Sequence, residues 1–73
     1  MIRKVLPSML TRIDKKEKIT PGALVTHKQY DLEQSLGVVI EQREHMELAD
    51  FGRTKIPVMR CTVCWVISPN AWT

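Results

Sequence analysis

The residues that could do chemistry are few, and their spacing is informative. Cys61 and Cys64 have the C-x-x-C spacing used for zinc and for thiol–disulfide exchange. Zinc needs about four ligands, so His27 and His45 would have to complete the set. Structural zinc thiols usually sit on a tight turn, whereas this pair lies in Val58-Met59-Arg60-Cys61-Thr62-Val63-Cys64-Trp65-Val66-Ile67, which reads as a strand. Residues three apart on a strand are about 10 Å apart and point to opposite faces. That separation is too long for a disulfide. A redox C-x-x-C would open a helix in a βαβ unit, and no such unit precedes it. The pair therefore reads as two ordinary strand cysteines, and unlinked thiols fit a reducing compartment.

Acid–base and nucleophilic chemistry find no constellation. His27 and His45 fall in separate polar stretches, where a solvated surface histidine is expected. Glu41, Glu44 and Glu47 have helical spacing, but Glu41 belongs to a strand, so they read as a solvated face. Asp50-Phe51-Gly52 matches the metal-binding triplet of protein kinases, yet 73 residues cannot hold a kinase and no other kinase motif is present. It reads as a turn, with Phe51 expected to fold back onto the core. No glycine-rich phosphate loop occurs. No catalytic residue, metal, cofactor or small-molecule substrate is expected, and the chain reads as non-enzymatic.

Such residues would have to be held by elements drawn from a short chain. A body of 8.4 kDa is one domain. Such a body buries about 62% of its extended surface, too little for a deep water-excluded site. Hydrophobic residues make up 44% and charged residues 26%, which argues for a folded chain. No apolar run approaches the roughly 18 residues of a membrane span. Pro7, Ser8, Thr11 and Arg12 interrupt any signal-peptide core, so no membrane role or secretion is expected.

Two segments are expected, 1–18 and 19–73. In the first, Leu6, Met9, Leu10 and Ile13 follow one helical face, and Ile2 and Val5 extend the stripe. Pro7 suits the first turn of a helix. The spacing predicts an amphipathic helix or an extended arm. Its apolar stripe would either cover its own domain or dock on a neighbouring chain; a disordered basic tail is the remaining reading. In the second segment, Pro21-Gly22 is a turn and Ala23-Leu24-Val25-Thr26 a short strand. A polar loop at 27–36 leads to a β-branched strand, Gly37-Val38-Val39-Ile40-Glu41-Gln42-Arg43. A second polar loop is expected at 44–55. The last strand, Ile56 to Ile67, puts Met59, Cys61, Val63, Trp65 and Ile67 on one face. No helix separates these strands, which argues against a parallel α/β sheet, and a small antiparallel barrel is expected.

Charge divides the same way. The net charge is +3, but residues 1–18 carry +4 and residues 19–73 carry −1. Arg3, Lys4, Arg12, Lys15, Lys16 and Lys18 could neutralise phosphates, which makes nucleic acid the alternative partner. Trp72 lies one residue from the end of the sequence, and Trp is favoured as an interface anchor, although it would equally serve as a lid over a barrel end.

Pro21-Gly22-Ala23-Leu24-Val25, Gly37-Val38-Val39-Ile40-Glu41 and Val63-Cys64-Trp65, in that order, resemble the small SH3-like, KOW-like β-barrel proteins common in tailed bacteriophages. The likeness covers about residues 20–67. It departs from the KOW pattern at Ala23, where an acidic residue is usual, and lacks the basic glycine-rich loop. The resemblance implies an all-β SH3-like barrel preceded by the helix or arm. It also implies a minor virion protein assembled in the host cytoplasm, such as a capsid decoration or a head–tail or tail component. Its partners would be other protein subunits, docked through Ile2, Val5, Leu6, Met9, Leu10, Ile13 and Trp72.

Overall fold

A computed structural model describes residues 1–72. The described residues form one antiparallel sheet of five strands, β1 (Ile2–Val5), β2 (Leu10–Arg12), β3 (Leu24–His27), β4 (Leu36–Ala49) and β5 (Thr54–Ile67). The order across the sheet is β1-β5-β4-β3-β2. No ladder pairs β1 with β2, so the sheet is open. Only residues 6–9, including a 3-10 turn at Pro7–Met9, run from one edge strand to the other.

The all-β class agrees with the sequence. Of the two conformations expected for residues 1–18, the helix does not form and the backbone is extended at Ile2–Val5 and Leu10–Arg12. Residues 1–18 supply both edge strands instead, because β5 and β3 each offer an unpaired edge that an extended segment fills with backbone hydrogen bonds. Pro7 breaks the helical stripe at its centre, and a short apolar spacing does not by itself separate helix from strand. A second 3-10 turn spans Asn70–Trp72.

The core is formed by Val5, Leu10, Ile19, Ala23, Val25, Val39, Cys61, Val63 and Trp65. The alternation expected for the last strand holds at its inner end, where Cys61, Val63 and Trp65 are all buried. Gly37 lies opposite Trp65. A Cβ at Gly37 would sit 2.8 Å from the Trp65 ring and 2.5 Å from Val63, so the indole covers the backbone where a side chain would be.

β4 and β5 are each 14 residues long, and the polar stretch expected as a loop at 44–55 is mostly strand. Their ladder continues without a break from Glu41↔Thr62 to Ala49↔Thr54. Ile40 is the extra residue of a bulge between Val39↔Val63 and Glu41↔Thr62. The bulge reverses which face each later β4 residue occupies. Met46 and Leu48 therefore share a face with Pro57 and Met59, which continues the core face outward.

The outer half of this hairpin has no neighbours. β1 pairs with β5 only from Cys61 to Cys64, and β3 pairs with β4 only at Gly37 and Val38. No residue from 40 to 60 is buried. The accessible surface is 5231 Å², against about 4,600 Å² for a compact chain of this mass. The radius of gyration is 13.2 Å, against about 11 Å for a compact body. The molecule is a small root with a projecting two-stranded arm.

Candidate protein-docking arm

Residues 50–53 close the arm, with Gly52 N–H donating to Ala49 O (3.1 Å) and Arg53 N–H to Asp50 O (3.1 Å). Asp50, Phe51 and Gly52 all have positive φ, at 52°, 55° and 85°. Aspartate and glycine accept this region readily; phenylalanine does so rarely. Phe51 does not fold back onto the core as expected. It is fully exposed at the tip, because the long ladder carries it beyond reach of any apolar neighbour. Strained backbone and an exposed aromatic ring coincide at one residue, which is how functional loops commonly look.

Behind the tip, Met46 and Leu48 are 59% and 68% exposed on one face, and Met59 is exposed beside them. The opposite face carries Arg43, His45, Glu47, Val58 and Arg60, together with the exposed Ile56. Arg60 Nε donates to Glu47 Oε1 at 3.0 Å, and Arg43 pairs with Glu41 at 2.5 Å. An isolated two-stranded hairpin is at best marginally stable in water. This one also exposes a row of large apolar side chains. Nothing in composition marked this site, since its Glu, Arg and His residues made it read as loop. The usable signal was the alternation of Met46 and Leu48 with His45 and Glu47.

The residues expected to dock lie elsewhere and are largely used internally. Val5 and Leu10 are buried in the core, Leu6 and Met9 are half-buried, and only Ile2 and Ile13 of the stripe are exposed. Trp72 is half-buried in an aromatic cluster. Its ring meets Trp65 at 5.1 Å, His27 at 5.5 Å and Tyr30 at 5.7 Å, with the Arg3 guanidinium 4.3 Å from its centroid. It closes one end of the core.

His27, expected as a solvated loop residue, ends β3 and is buried in that cluster. Its backbone N–H donates to Ser35 Oγ (3.1 Å), and its Nδ1 accepts from Gln29 N–H (3.2 Å). Burial, then the nearby Arg3 charge, holds its pKa below the usual histidine value.

The six cations do not converge. Arg3 lies over Trp72, and Lys4 sits on the other face of β1, opposite Thr62. Arg12 is a staple: it donates to both Asp14 carboxylate oxygens (3.0 and 2.7 Å), to Lys18 O (2.8 Å) and to Thr20 Oγ1 (3.0 Å). Those bonds hold the Asp14 carboxyl below its ordinary range. Lys15, Lys16 and Lys18 are exposed on the loop that Arg12 braces.

Cys61 and Cys64 are free thiols on opposite faces, as the strand geometry requires. Burial pushes the Cys61 thiol up. Among the described residues, no three His, Cys, Asp or Glu side chains gather as a metal site. No protein-family model, curated protein or solved structure matches this chain.

Proposed function

We propose that this chain is a non-enzymatic assembly protein whose root is a folded anchor and whose β4–β5 hairpin docks on other protein subunits. One observation carries the reading: residues 40–60 have no buried position, yet they present Met46, Leu48, Phe51, Ile56 and Met59 to solvent. Exposed apolar surface of this kind on a soluble domain marks an interaction site. The sequence resemblance to small phage barrel proteins supports a place in a virion, as a decoration or a head–tail or tail component. It also supports reading the five-strand root as an SH3-like barrel that stays open between β1 and β2.

The test replaces residues 44–59 with an Asn-Gly turn joining the paired Arg43 and Arg60. The shortened chain should keep the cooperative unfolding of the root and lose co-assembly with its partner subunits, read by co-sedimentation with particles. Normal co-assembly of the shortened chain would defeat the proposal.

A further inference from the structure

The backbone of the arm identifies one of its two edges as a pairing edge. Trp65 N–H donates to Met1 O (2.6 Å) and the Met1 amino group to Trp65 O (3.2 Å). Odd residues of β5 therefore address the β1 side, and even residues address β4. Beyond the end of β1, the β5 edge offers Met59, Pro57 and Lys55. Proline has no N–H to give and lysine discourages pairing, so this edge is guarded against strand addition.

The β4 edge is different. Arg43, His45, Glu47 and Ala49 address β5, which leaves the N–H and C=O groups of Gln42, Glu44, Met46 and Leu48 directed into the open. No proline or lysine interrupts them. β3 vacates this edge at Val39, whose N–H donates to Ala23 O (3.0 Å) and whose carbonyl accepts from Gly22 N–H (2.7 Å).

Resting on the assembly reading above, we infer that the β4 edge pairs antiparallel with the β4 edge of a second copy of this chain, about a two-fold axis at His45. The register follows from charge. With His45 opposite His45, Arg43 of each copy faces Glu47 of the other. On the one face that carries these charges, two rows related by the axis then read Arg60 and Glu47 of one copy, then Arg43 and Glu41 of the other, with signs alternating along each row, while Arg43 stays opposite Arg60 within its own hairpin. Shifting by one allowed step toward the root instead sets Glu44 against Glu44, which repels. In the chosen register Gln42 pairs with Leu48 and Glu44 with Met46, and each such pair exchanges two backbone hydrogen bonds. The two lone hairpins become one four-stranded sheet, and an isologous pair of this kind closes on itself.

The same register gives the tip a seat. Ala49 of the second copy falls opposite Glu41, so its loop 50–53 meets the first copy where β3 begins. A pocket of about 290 Å³ lies there, lined by Arg12, Ile13, Asp14, Gly22, Ala23 and Leu24. Ile13, Leu24 and the bulged Ile40 are exposed at that end of the sheet. A cavity of about 150 Å³ already accepts a benzene ring. Phe51 of one copy occupies this pocket on the other, twice by symmetry.

Sedimentation equilibrium and light scattering on the full chain, up to about 1 mM, test this. The expected result is a dimer that dissociates on dilution. Arg43→Glu and Glu47→Arg should each lower the association constant at least tenfold alone, and a mixture of the two should restore it, since only the mixed pair matches charges. Restoration on mixing also shows that both variants fold. His45→Cys in a Cys64→Ser background should form an intermolecular disulfide on mild oxidation. The facing Cα atoms of a non-hydrogen-bonded pair lie about 4.5 Å apart, within disulfide range. Glu47→Cys in the same background should not. A wild-type monomer at every concentration, or a dimer indifferent to both charge reversals, overturns the inference. In that case, loss of co-assembly on excising residues 44–59 would still leave the assembly reading standing with a different partner.

Discussion

The inner and outer halves of β4 and β5 are the same two strands in two environments. At the root they have β1 and β3 beside them, and Val39, Cys61, Val63 and Trp65 are buried. Further along they have no neighbouring strand, and Met46, Leu48 and Met59 lie in solvent although they continue the same face. The side chains differ little in hydrophobicity. What differs is how many strands stand beside them, and burial follows from that. The root holds the stability of the chain, and the arm is free to hold its contacts.

The largest test of this division is a pair of aromatic truncations. Trp65→Ala should cost about 3–5 kcal/mol, enough to unfold a domain of this size. Phe51→Ala should move stability by no more than about 0.5 kcal/mol in dilute solution. Thermal unfolding by circular dichroism reads both, and equal losses would erase the distinction between root and arm.

Two glycines sharpen it. Gly37→Ala drives a methyl group into Val63 and Trp65 and should cost about 1–3 kcal/mol by overpacking. Gly52→Ala meets no atom within 4 Å and fails only through its φ of 85°, at about 1–2 kcal/mol. Replacing Gly37 with Val should enlarge the first loss, whereas Asn at Gly52 should relieve the second; urea denaturation midpoints measure both.

Next comes a comparison of arginines. Arg12→Ala removes the brace of the 13–20 loop and should cost about 1 kcal/mol net. Arg60→Ala on the arm, whose ion pair with Glu47 is partly exposed, should cost about half that or less. Equal midpoints for the two variants would show that the loop brace contributes no more than the arm's ion pair.

The smallest expected effect is a pH slope. His27 has a lowered pKa in the folded chain, so between that value and about 6.5 the unfolded chain binds more protons. The His27 contribution should be level above about pH 7 and stability should decline as pH falls through 6.5. His27→Asn should flatten the decline between pH 7.5 and 5.5, and an unchanged slope would place the proton uptake elsewhere.

Much of the root was legible residue by residue. The alternation of Cys61, Val63 and Trp65, the β-branched run at Val38–Ile40 and the turn at Pro21-Gly22 each carry a local signal that the structure keeps. The N-terminal stripe was not legible, because Leu6, Met9, Leu10 and Ile13 satisfy helical spacing while unpaired edges on β5 and β3 compete for the same backbone. The arm was missed because polar residues on an exposed ribbon look like loop, and only the partner strand reveals the ladder. The apolar residues left exposed differ accordingly: the core consumes Val5 and Leu10, and Met46, Leu48 and Phe51 face solvent.

Local chemistry in the chain is enough to decide that residues 19–73 are built from strands, that the chain turns at Pro21-Gly22 and at Asp50-Phe51-Gly52, which side of β5 is apolar near Trp65, and that its cysteines point apart. Those properties depend on neighbours one to three residues away. The length of the β4–β5 ladder, the reversal of faces at Ile40 and the exposure of Phe51 were decided only by the tertiary structure. They depend on which strands lie alongside, and that is set by pairings between residues far apart in the chain, whose closure no short window of sequence can report.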